Sequence, residues 1–338
     1  MLLLSIDYVL YDLNRFYSQG YLMKPKRSYL LLSQSLNEPL QTAKGIIREK
    51  KSLVLRQINE LGQISYGETS PLSGFWEFDL SEALSQAKEW ASCLTPSENF
   101  SFLGSAISCL NSEIWNLNSE GLFLPETAQI YNEGKSISGR VIKRKIGLLS
   151  AKEEISMICE WLQQLDERTQ VRLDPNESFS RDDLKRWVDA MEQYRCVQFI
   201  EQPTSFRDDD WLIDFSRQSP VAIALDEALL RMNTMSLVRE LPRNLFLVFK
   251  PLFFQDWEIL ASLVKDRSDR VVISTAFETP FAYEALIRLA AQSKLSPGLD
   301  RSCFLGHPYE FSSHHQPLLQ CPSVTVAQLD KLWDSFPR

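Results

Sequence analysis

The chain has 338 residues, more than one hydrophobic core usually organises, so we expect two domains or one large barrel with an appendage. A formal net charge of −8 argues against a nucleic-acid partner, because phosphate binding needs a basic face. No apolar run approaches the ~18 residues of a membrane-spanning helix, and the amino terminus lacks the basic start of a signal peptide. Six scattered cysteines without a CxxC pair suit free thiols, so we expect a cytoplasmic protein.

The first hundred residues predict a small α+β module. Between about residues 12 and 70, short polar–apolar alternations such as RFYSQGYLM (15–23) are separated by turn signals, and 45–68 predicts strand, turn and strand with period two. Asp79 precedes the helical pattern SEALSQAKEWASCL and is predicted to be its N-cap. We therefore expect an antiparallel sheet followed by helices, within a domain covering 1–100.

From about residue 125, short β-rich runs alternate with amphipathic helices. Eight runs are predicted as strands: 128–132, 141–145, 171–174, 197–201, 221–226, 245–250, 271–274 and 302–306. Such alternation implies an α/β fold with a parallel sheet and crossover helices. Because eight strands suit a closed barrel and no GxGxxG motif follows any of them, we favour a (β/α) barrel over a doubly wound sheet. The barrel is predicted over 101–310, and 311–338 is expected to pack back on the amino-terminal domain.

Five consecutive predicted strands end in a charged residue. In chain order these residues are Lys145, Asp174, Glu201, Asp226 and Lys250. Subtracting residue numbers gives spacings of 29, 27, 25 and 24 residues, close to the length of one β/α unit. Catalytic groups of such barrels come from the carboxyl ends of the strands, so we expect all five at one rim.

Three adjacent carboxylates would repel one another and raise at least one pKa, unless a cation lies among them. Mg²⁺ prefers oxygen ligands and accepts a few carboxylates together with water and substrate oxygens; Mn²⁺ is the alternative metal. A lysine near a cation can act as a base near neutral pH. Taken alone, each acidic residue is as typical of a helix N-cap as of an active site, and this holds above all for Asp226. Five charged residues in phase on consecutive strands favour an active site. The pattern predicts an enzyme that enolises a small anionic carboxylate substrate.

Strand alternation adds further polar residues to the same rim. The candidates for substrate binding or for support of the site are Lys143, Arg172, Asn176, Ser274, Thr275 and Gly306. The first three share a strand face with the charged strand ends, and the others end the seventh and eighth predicted strands. A charged interior layer is costly unless it meets an anionic substrate. An internal salt bridge between Arg172 and a carboxylate is the alternative.

These residues resemble a known family. The KxK of Lys143 and Lys145, RLDPN, FIEQP, ALDE and VFKP are similar to the muconate-lactonising branch of the enolase superfamily, which combines lysine bases with Mg²⁺. The segment GQISYGETSPLSGF (62–75) resembles the capping domain of o-succinylbenzoate synthases. The resemblance covers nearly the whole chain and implies an enolase-like modified TIM barrel with an amino-terminal capping domain.

The resemblance also implies a reaction: Mg²⁺-dependent dehydration of 2-succinyl-6-hydroxy-2,4-cyclohexadiene-1-carboxylate to 2-succinylbenzoate, in menaquinone or phylloquinone biosynthesis. Asp174, Glu201 and Asp226 would hold the metal. Lys145 would remove the proton and return it to the departing hydroxyl, while Lys250 would stay cationic and stabilise the enediolate.

Two segments depart from the family pattern. They are STAFETP after the seventh predicted strand and GLDRSCFLGHPYEF, which matches only at its first three residues. An N-acylamino acid racemase or dipeptide epimerase of the same superfamily is therefore an alternative, and a barrel retained only for binding is another. We expect a monomer or small homo-oligomer without nucleic-acid or membrane partners.

Overall fold

The computed structural model describes residues 24–42, 45–72, 78–92, 100–117, 122, 124–131, 139–232, 235–304, 307, 309–311 and 324–336. The polar–apolar alternation at 15–23 and the predicted contact Gly306 lie outside these residues.

The amino-terminal sheet has three antiparallel strands in the order β1-β2-β3. They are β1 (Lys26–Thr42), β2 (Gly45–Ile58) and β3 (Ile64–Thr69). The predicted strand–turn–strand unit is therefore confirmed as β2 and β3. At the turn between them, Asn59 Oδ1 accepts the backbone N–H groups of Leu61 and Gln63, both at 2.9 Å.

Period-two alternation gives this sheet two apolar faces. Tyr29, Leu53 and Leu55 pack against helices α1 (Leu80–Ser92) and α2 (Gly104–Asn111). On the other face, Leu30, Leu32, Val54 and Tyr66 join the large core shared with the second sheet. As predicted, Asp79 caps α1, because its Oδ1 accepts the Ser81 N–H at 2.8 Å.

The second sheet is parallel, with seven strands in the order β10-β9-β8-β7-β6-β5-β4. The strands are β4 (Gln129–Ile130), β5 (Val141–Lys145), β6 (Gln170–Asp174), β7 (Val197–Glu201), β8 (Ile223–Leu225), β9 (Phe246–Phe249) and β10 (Val271–Ile273). Seven of the eight predicted strands are confirmed.

Most of the crossover helices were also predicted. They are α3 (Ala151–Leu162), α4 (Arg181–Met191), α5 (Asp209–Ser216), α6 (Glu227–Arg231), α7 (Met235–Glu240), α8 (Trp257–Asp266) and α9 (Pro280–Ala290). The amphipathic run at 227–241 predicts one helix, which is wrong, since α6 ends at Arg231 and the following Met232 has an extended backbone. Ser150, Ser180 and Asp256 cap α3, α4 and α8 through backbone N–H groups three residues on.

The eighth predicted strand, at 302–306, is also wrong. Ser302–Phe304 forms a short 3₁₀ helix, and Gly298 instead makes a parallel bridge to Ser274. On the other side, the Ala128 N–H, just before β4, donates to the Pro297 carbonyl at 2.9 Å. A Cβ at Gly298 would lie 2.9 Å from Ser274 Oγ, so glycine allows this close approach. These bonds close the sheet into a modified TIM barrel.

Five buried residues fill the barrel interior and are called the lumen cluster below: Phe199, Ala224, Phe246, Val248 and Val272. The carboxyl-terminal helix α10 (Val326–Ser335) contacts the amino-terminal sheet. Asp330 Oδ1 lies 2.6 Å from Arg56 Nη2 and accepts the Tyr66 hydroxyl at 3.0 Å. Among the described residues, no helix is long and apolar enough to cross a bilayer, and the four described cysteines are free thiols.

Candidate active site

Three of the predicted site residues lie two positions after a residue of the lumen cluster, on the same strand face. Three strands pair an interior apolar residue with a charged residue two positions on: Phe199 with Glu201, Ala224 with Asp226 and Val248 with Lys250. Because residues i and i+2 share a strand face, all three charged side chains lie on the interior side at the carboxyl rim. The adjacent β6 and β5 end in Asp174 and Lys145, whose Cα positions are paired across the two strands.

Lys143 connects two of the carboxylates. Its Nζ lies 2.9 Å from Asp174 Oδ2 and 2.7 Å from Glu201 Oε1, and those side chains are only 7% and 3% exposed. Burial acts to lower the pKa of Lys143, but the neighbouring carboxylate charges outweigh it, so the pKa lies above its ordinary value. Lys143 is therefore a fixed positive charge at the centre of the rim.

The second ion pair joins Lys250 to Asp226 Oδ2, with both side chains largely buried. Burial acts to lower the pKa of Lys250, and the charges of Asp226 and Glu227 raise it above its ordinary value. The other carboxylate oxygen, Asp226 Oδ1, is buried and has no hydrogen-bond partner. One oxygen of this carboxylate is thus left for a further cation or donor.

The lysines do not fully compensate the carboxylates. Burial raises the pKa of Glu201 to about 7, opposed by Lys143 and reinforced by the charges of Asp174 and Asp226. Burial likewise raises the pKa of Asp226 to about 6, with Lys250 opposing the rise. Burial thus disfavours the ionised carboxylates, and a divalent cation beside them would stabilise the ionised form.

The side chains as placed do not form a finished metal cage. In the described part of the chain, no three His, Cys, Asp or Glu side chains are arranged to hold an ion, since Lys143 occupies Asp174 and Glu201 while Lys250 occupies Asp226. By chemistry the residues fit a hard divalent cation. They offer carboxylate oxygens on three adjacent strands, an unpartnered buried oxygen and raised carboxyl pKa values.

The two predicted catalytic lysines differ in environment. Lys145, the last residue of β5, is exposed, and the described contacts include no ion pair for it. Lys250 is 15% exposed and held against Asp226. One side of the site thus carries a solvent-accessible amine, and the other an ammonium fixed by a carboxylate.

Arg172 lies beneath the carboxylates. It is buried, its Nε donates to Gln198 Oε1 at 2.7 Å, and its guanidinium carbon is 5.1 Å from the centre of the Phe199 ring. Burial lowers the pKa of Arg172 to about 10, and the charge of Glu201 opposes this. The contact described for Arg172 is thus with an amide, not the salt bridge considered as the alternative.

Asn176 holds the end of β6 to that of β8. Its backbone N–H donates to Asp174 Oδ1 at 3.1 Å, and its Nδ2 donates to Glu227 Oε1 at 3.2 Å. Glu227 is buried, burial raises its pKa, and its Oε2 has no hydrogen-bond partner. Glu227 was not among the predicted site residues, because in the sequence it only begins a helical pattern.

Gln202 is a second site residue that was not predicted from the sequence. Its side-chain Oε1 accepts the backbone N–H groups of Asp226 and Ala228 at 3.1 and 3.0 Å, which ties the end of β7 to that of β8. Its backbone is left-handed, with φ of 35°, as it is at Asn176 (51°) and Phe277 (65°). Such conformations persist where surrounding contacts enforce them and are frequent at functional sites.

Both predicted hydroxyl groups beyond β10, those of Ser274 and Thr275, donate hydrogen bonds to other groups of the protein. The Ser274 N–H donates to the Phe249 carbonyl at 2.7 Å, and its Oγ donates to the Gly298 carbonyl at 3.4 Å. Thr275 Oγ1 donates to Glu278 Oε2 at 2.6 Å. Their predicted role as substrate contacts stays a prediction.

Comparison with known proteins shows which families the chain resembles. A family model described as "Enolase C-terminal domain-like" matches residues 127–239, which include Lys143, Lys145 and the three carboxylates. The matched segment is about a third of the chain, and over that segment the chain is similar to this family. The resemblance to o-succinylbenzoate synthases is confirmed, because three curated relatives of that name are each 26% identical to this chain over 75% to 77% of its length.

One of them, from Thermosynechococcus vestitus, aligns over 287 residues, 77% of this chain and 86% of the relative. The crystal structure of o-succinylbenzoate synthase from Thermosynechococcus elongatus BP-1, complexed with Mg in the active site, superposes with a TM-score of 0.71 at 22% identity. It covers 92% of this chain and 100% of that one. An L-Lys-D/L-Arg epimerase from Methylococcus capsulatus is 38% identical over 105 residues, 31% of this chain and 29% of the epimerase.

Proposed function

We propose that this protein is a Mg²⁺-dependent o-succinylbenzoate synthase, a carbon–oxygen lyase that dehydrates 2-succinyl-6-hydroxy-2,4-cyclohexadiene-1-carboxylate to 2-succinylbenzoate. The observation that carries the proposal is the set of three buried carboxylates between two lysine-bearing strands at one barrel rim. The relatives of that name support the choice of reaction. The reaction would lie in menaquinone or phylloquinone biosynthesis, in the cytoplasm, carried out by a monomer or small homo-oligomer.

In this proposal Asp174, Glu201 and Asp226 are the ligands of Mg²⁺, with Mn²⁺ as a substitute. When bound, the metal supplies stabilisation of the second negative charge that develops on the substrate carboxylate when its α-proton leaves. Asn176 and Gln202 keep the strand ends in place through their bonds to Asp174 and Asp226.

The lysines divide the proton chemistry. Lys145 Nζ takes the α-proton on its lone pair as the C–H bond breaks, and then returns it to the hydroxyl whose C–O bond breaks, so that water leaves from the same face. The exposure of Lys145 allows a substrate to reach it. Lys250 remains an ammonium, in keeping with its raised pKa and its pair with Asp226, and its charge stabilises the enediolate.

The test is turnover of the cyclohexadiene carboxylate, followed by ultraviolet absorbance with the product identified by mass, in Mg²⁺ and in EDTA. We expect turnover in Mg²⁺ that EDTA abolishes. Asp226→Asn should raise the Mg²⁺ concentration needed for half-maximal rate, because it removes a ligand charge. Absence of metal-dependent turnover by the wild-type protein would refute the proposal.

The second candidate is an N-acylamino acid racemase or dipeptide epimerase, favoured by the 38% identity to an epimerase over 105 residues. That reaction needs Lys145 and Lys250 as bases on opposite faces of the substrate. In D₂O, an N-succinyl amino acid or a dipeptide would then exchange its α-proton from both enantiomers. If both exchange and the cyclohexadiene carboxylate is not consumed, the racemase assignment replaces the synthase.

A further inference from the structure

We propose that Lys50, in the amino-terminal sheet, is a positioning residue for the loop that follows β10, residues 274–279. Its side chain is 1% exposed, and its Nζ donates to the carbonyls of Ala276 and Phe277, both at 2.8 Å. The third contact of the ammonium is Glu68 Oε1 at 3.4 Å. An ammonium has three N–H donors, so these contacts use all of them.

Glu68 on β3 holds the far end of the same loop. Its other oxygen, Oε2, accepts the backbone N–H of Thr279 at 2.8 Å and the Thr279 hydroxyl at 2.6 Å. Thr279 is the N-cap residue of α9 and makes no capping bond with its own side chain. Two buried side chains of the amino-terminal sheet therefore fix the middle and the end of a barrel loop.

The loop has a backbone that needs such support. Phe277 is left-handed, with φ of 65°, which is unfavourable for a residue with a Cβ. The carbonyls bound by Lys50 belong to the peptides on either side of Phe277. The Lys50 contacts thus act directly on the residue whose conformation the loop must maintain.

The loop begins at the active-site rim. Ser274 lies two residues after Val272 of the lumen cluster, and its N–H bonds to Phe249, the residue before Lys250. A shift of the loop would therefore displace Ser274 relative to Lys250. We infer that Lys50 sets the position of the substrate against this edge of the site without touching the metal ligands.

Stability alone does not account for a buried ion pair here. Removing one partner of such a pair is costly, but replacing both by apolar residues of similar volume is often neutral or stabilising. This asymmetry separates a positioning role from a packing role. A packing role is restored by an apolar pair, whereas a positioning role also needs the bonds to the loop carbonyls.

The experiment compares Lys50→Met, the double variant Lys50→Met/Glu68→Leu and the control Lys51→Met, which alters an exposed lysine on the opposite face of β2. For each variant we would measure Tm, hydrogen exchange of the peptide 274–285, Mg²⁺ affinity by calorimetry, and KM and kcat. The kinetic part rests on the proposed function, whereas the exchange part needs no substrate.

We expect Lys50→Met to raise KM by about 10- to 100-fold, with a smaller loss in kcat, faster exchange in 274–285 and unchanged Mg²⁺ affinity. The double variant should recover the part of Tm that is lost through the unpaired Glu68 charge, but keep the raised KM and the fast exchange, because the loop groups bound by Lys50 and Glu68 stay unpaired. Recovery of all three by the double variant, or unchanged KM and exchange in Lys50→Met, would overturn the proposal.

If neither Lys50 variant folds, Thr279→Val decides, because it removes only the hydroxyl bond to Glu68. Faster exchange at the start of α9 supports the proposal that Lys50 and Glu68 hold the loop, and unchanged exchange contradicts it. If the wild-type protein consumes none of the cyclohexadiene carboxylate, the proposed function fails, and the exchange measurements still decide the role of Lys50.

Discussion

Replacing Lys143 by Met should destabilise the protein in EDTA far more than in Mg²⁺. The ammonium lies 2.9 and 2.7 Å from two carboxylate oxygens whose side chains are 7% and 3% exposed. Leaving a buried charge without its partner typically costs about 3–5 kcal/mol. Because the Lys143 side chain is itself 28% exposed, we expect the lower end, about 3 kcal/mol. For a chain of 338 residues this corresponds to a fall of roughly 4 °C in Tm.

A bound divalent cation would compensate the same carboxylates, so the difference in Tm between wild type and variant should shrink in millimolar Mg²⁺. The assay is differential scanning calorimetry of both proteins at about pH 8, where ordinary carboxyl groups are ionised, in EDTA and in Mg²⁺. Lys152→Met on α3 changes an exposed lysine and serves as the control. Equal losses in EDTA and Mg²⁺, or no loss in EDTA, would refute this view of Lys143.

Two further predictions concern the amino-terminal sheet and the loop after β10. Gly67→Ala should lower the free energy of unfolding by about 3 kcal/mol, because the new Cβ would lie 1.9 Å from the Ala106 carbonyl oxygen. Gly62→Ala has open space around it but φ of 79°, so it should lower that free energy by only about 1 kcal/mol. Similar urea midpoints for the two variants would contradict this. Burial raises the pKa of Glu278, opposed by Lys50. A carboxyl whose folded pKa exceeds its unfolded value of about 4.3 loses its stabilising contribution as pH rises through the folded value. Glu278→Gln should therefore flatten the fall of Tm between about pH 4.3 and the folded pKa, and parallel Tm curves would count against it.

The strand ends were predictable because two constraints coincide in the sequence. Glu201, Asp226 and Lys250 each end a short apolar run, and each lies two residues beyond a residue that fills the barrel. The spacing of one β/α unit then places them on successive strands. Local pattern alone therefore gave the phase and the order of the site.

The remainder depends on tertiary packing. The closing segment at Pro297 and Gly298 is too short to show alternation, so the apolar run at 302–306 was mistaken for the eighth strand. Lys50 lies in the charged run REKK, which is typical of an exposed strand, and only the loop carbonyls of the barrel explain its burial. The pairing of Lys143 with two carboxylates was equally invisible, because alternation gives a face and not a partner.

The central claim is that lysines and carboxylates on adjacent strand ends enolise a carboxylate substrate. The most direct test is the rate of consumption of the cyclohexadiene carboxylate at saturating Mg²⁺ by wild type, Lys145→Ala, Lys250→Ala and the surface control Lys152→Ala. We expect a loss of about 10²- to 10⁴-fold or more in both active-site variants and wild-type rate in the control. Full activity in Lys145→Ala or Lys250→Ala would contradict it.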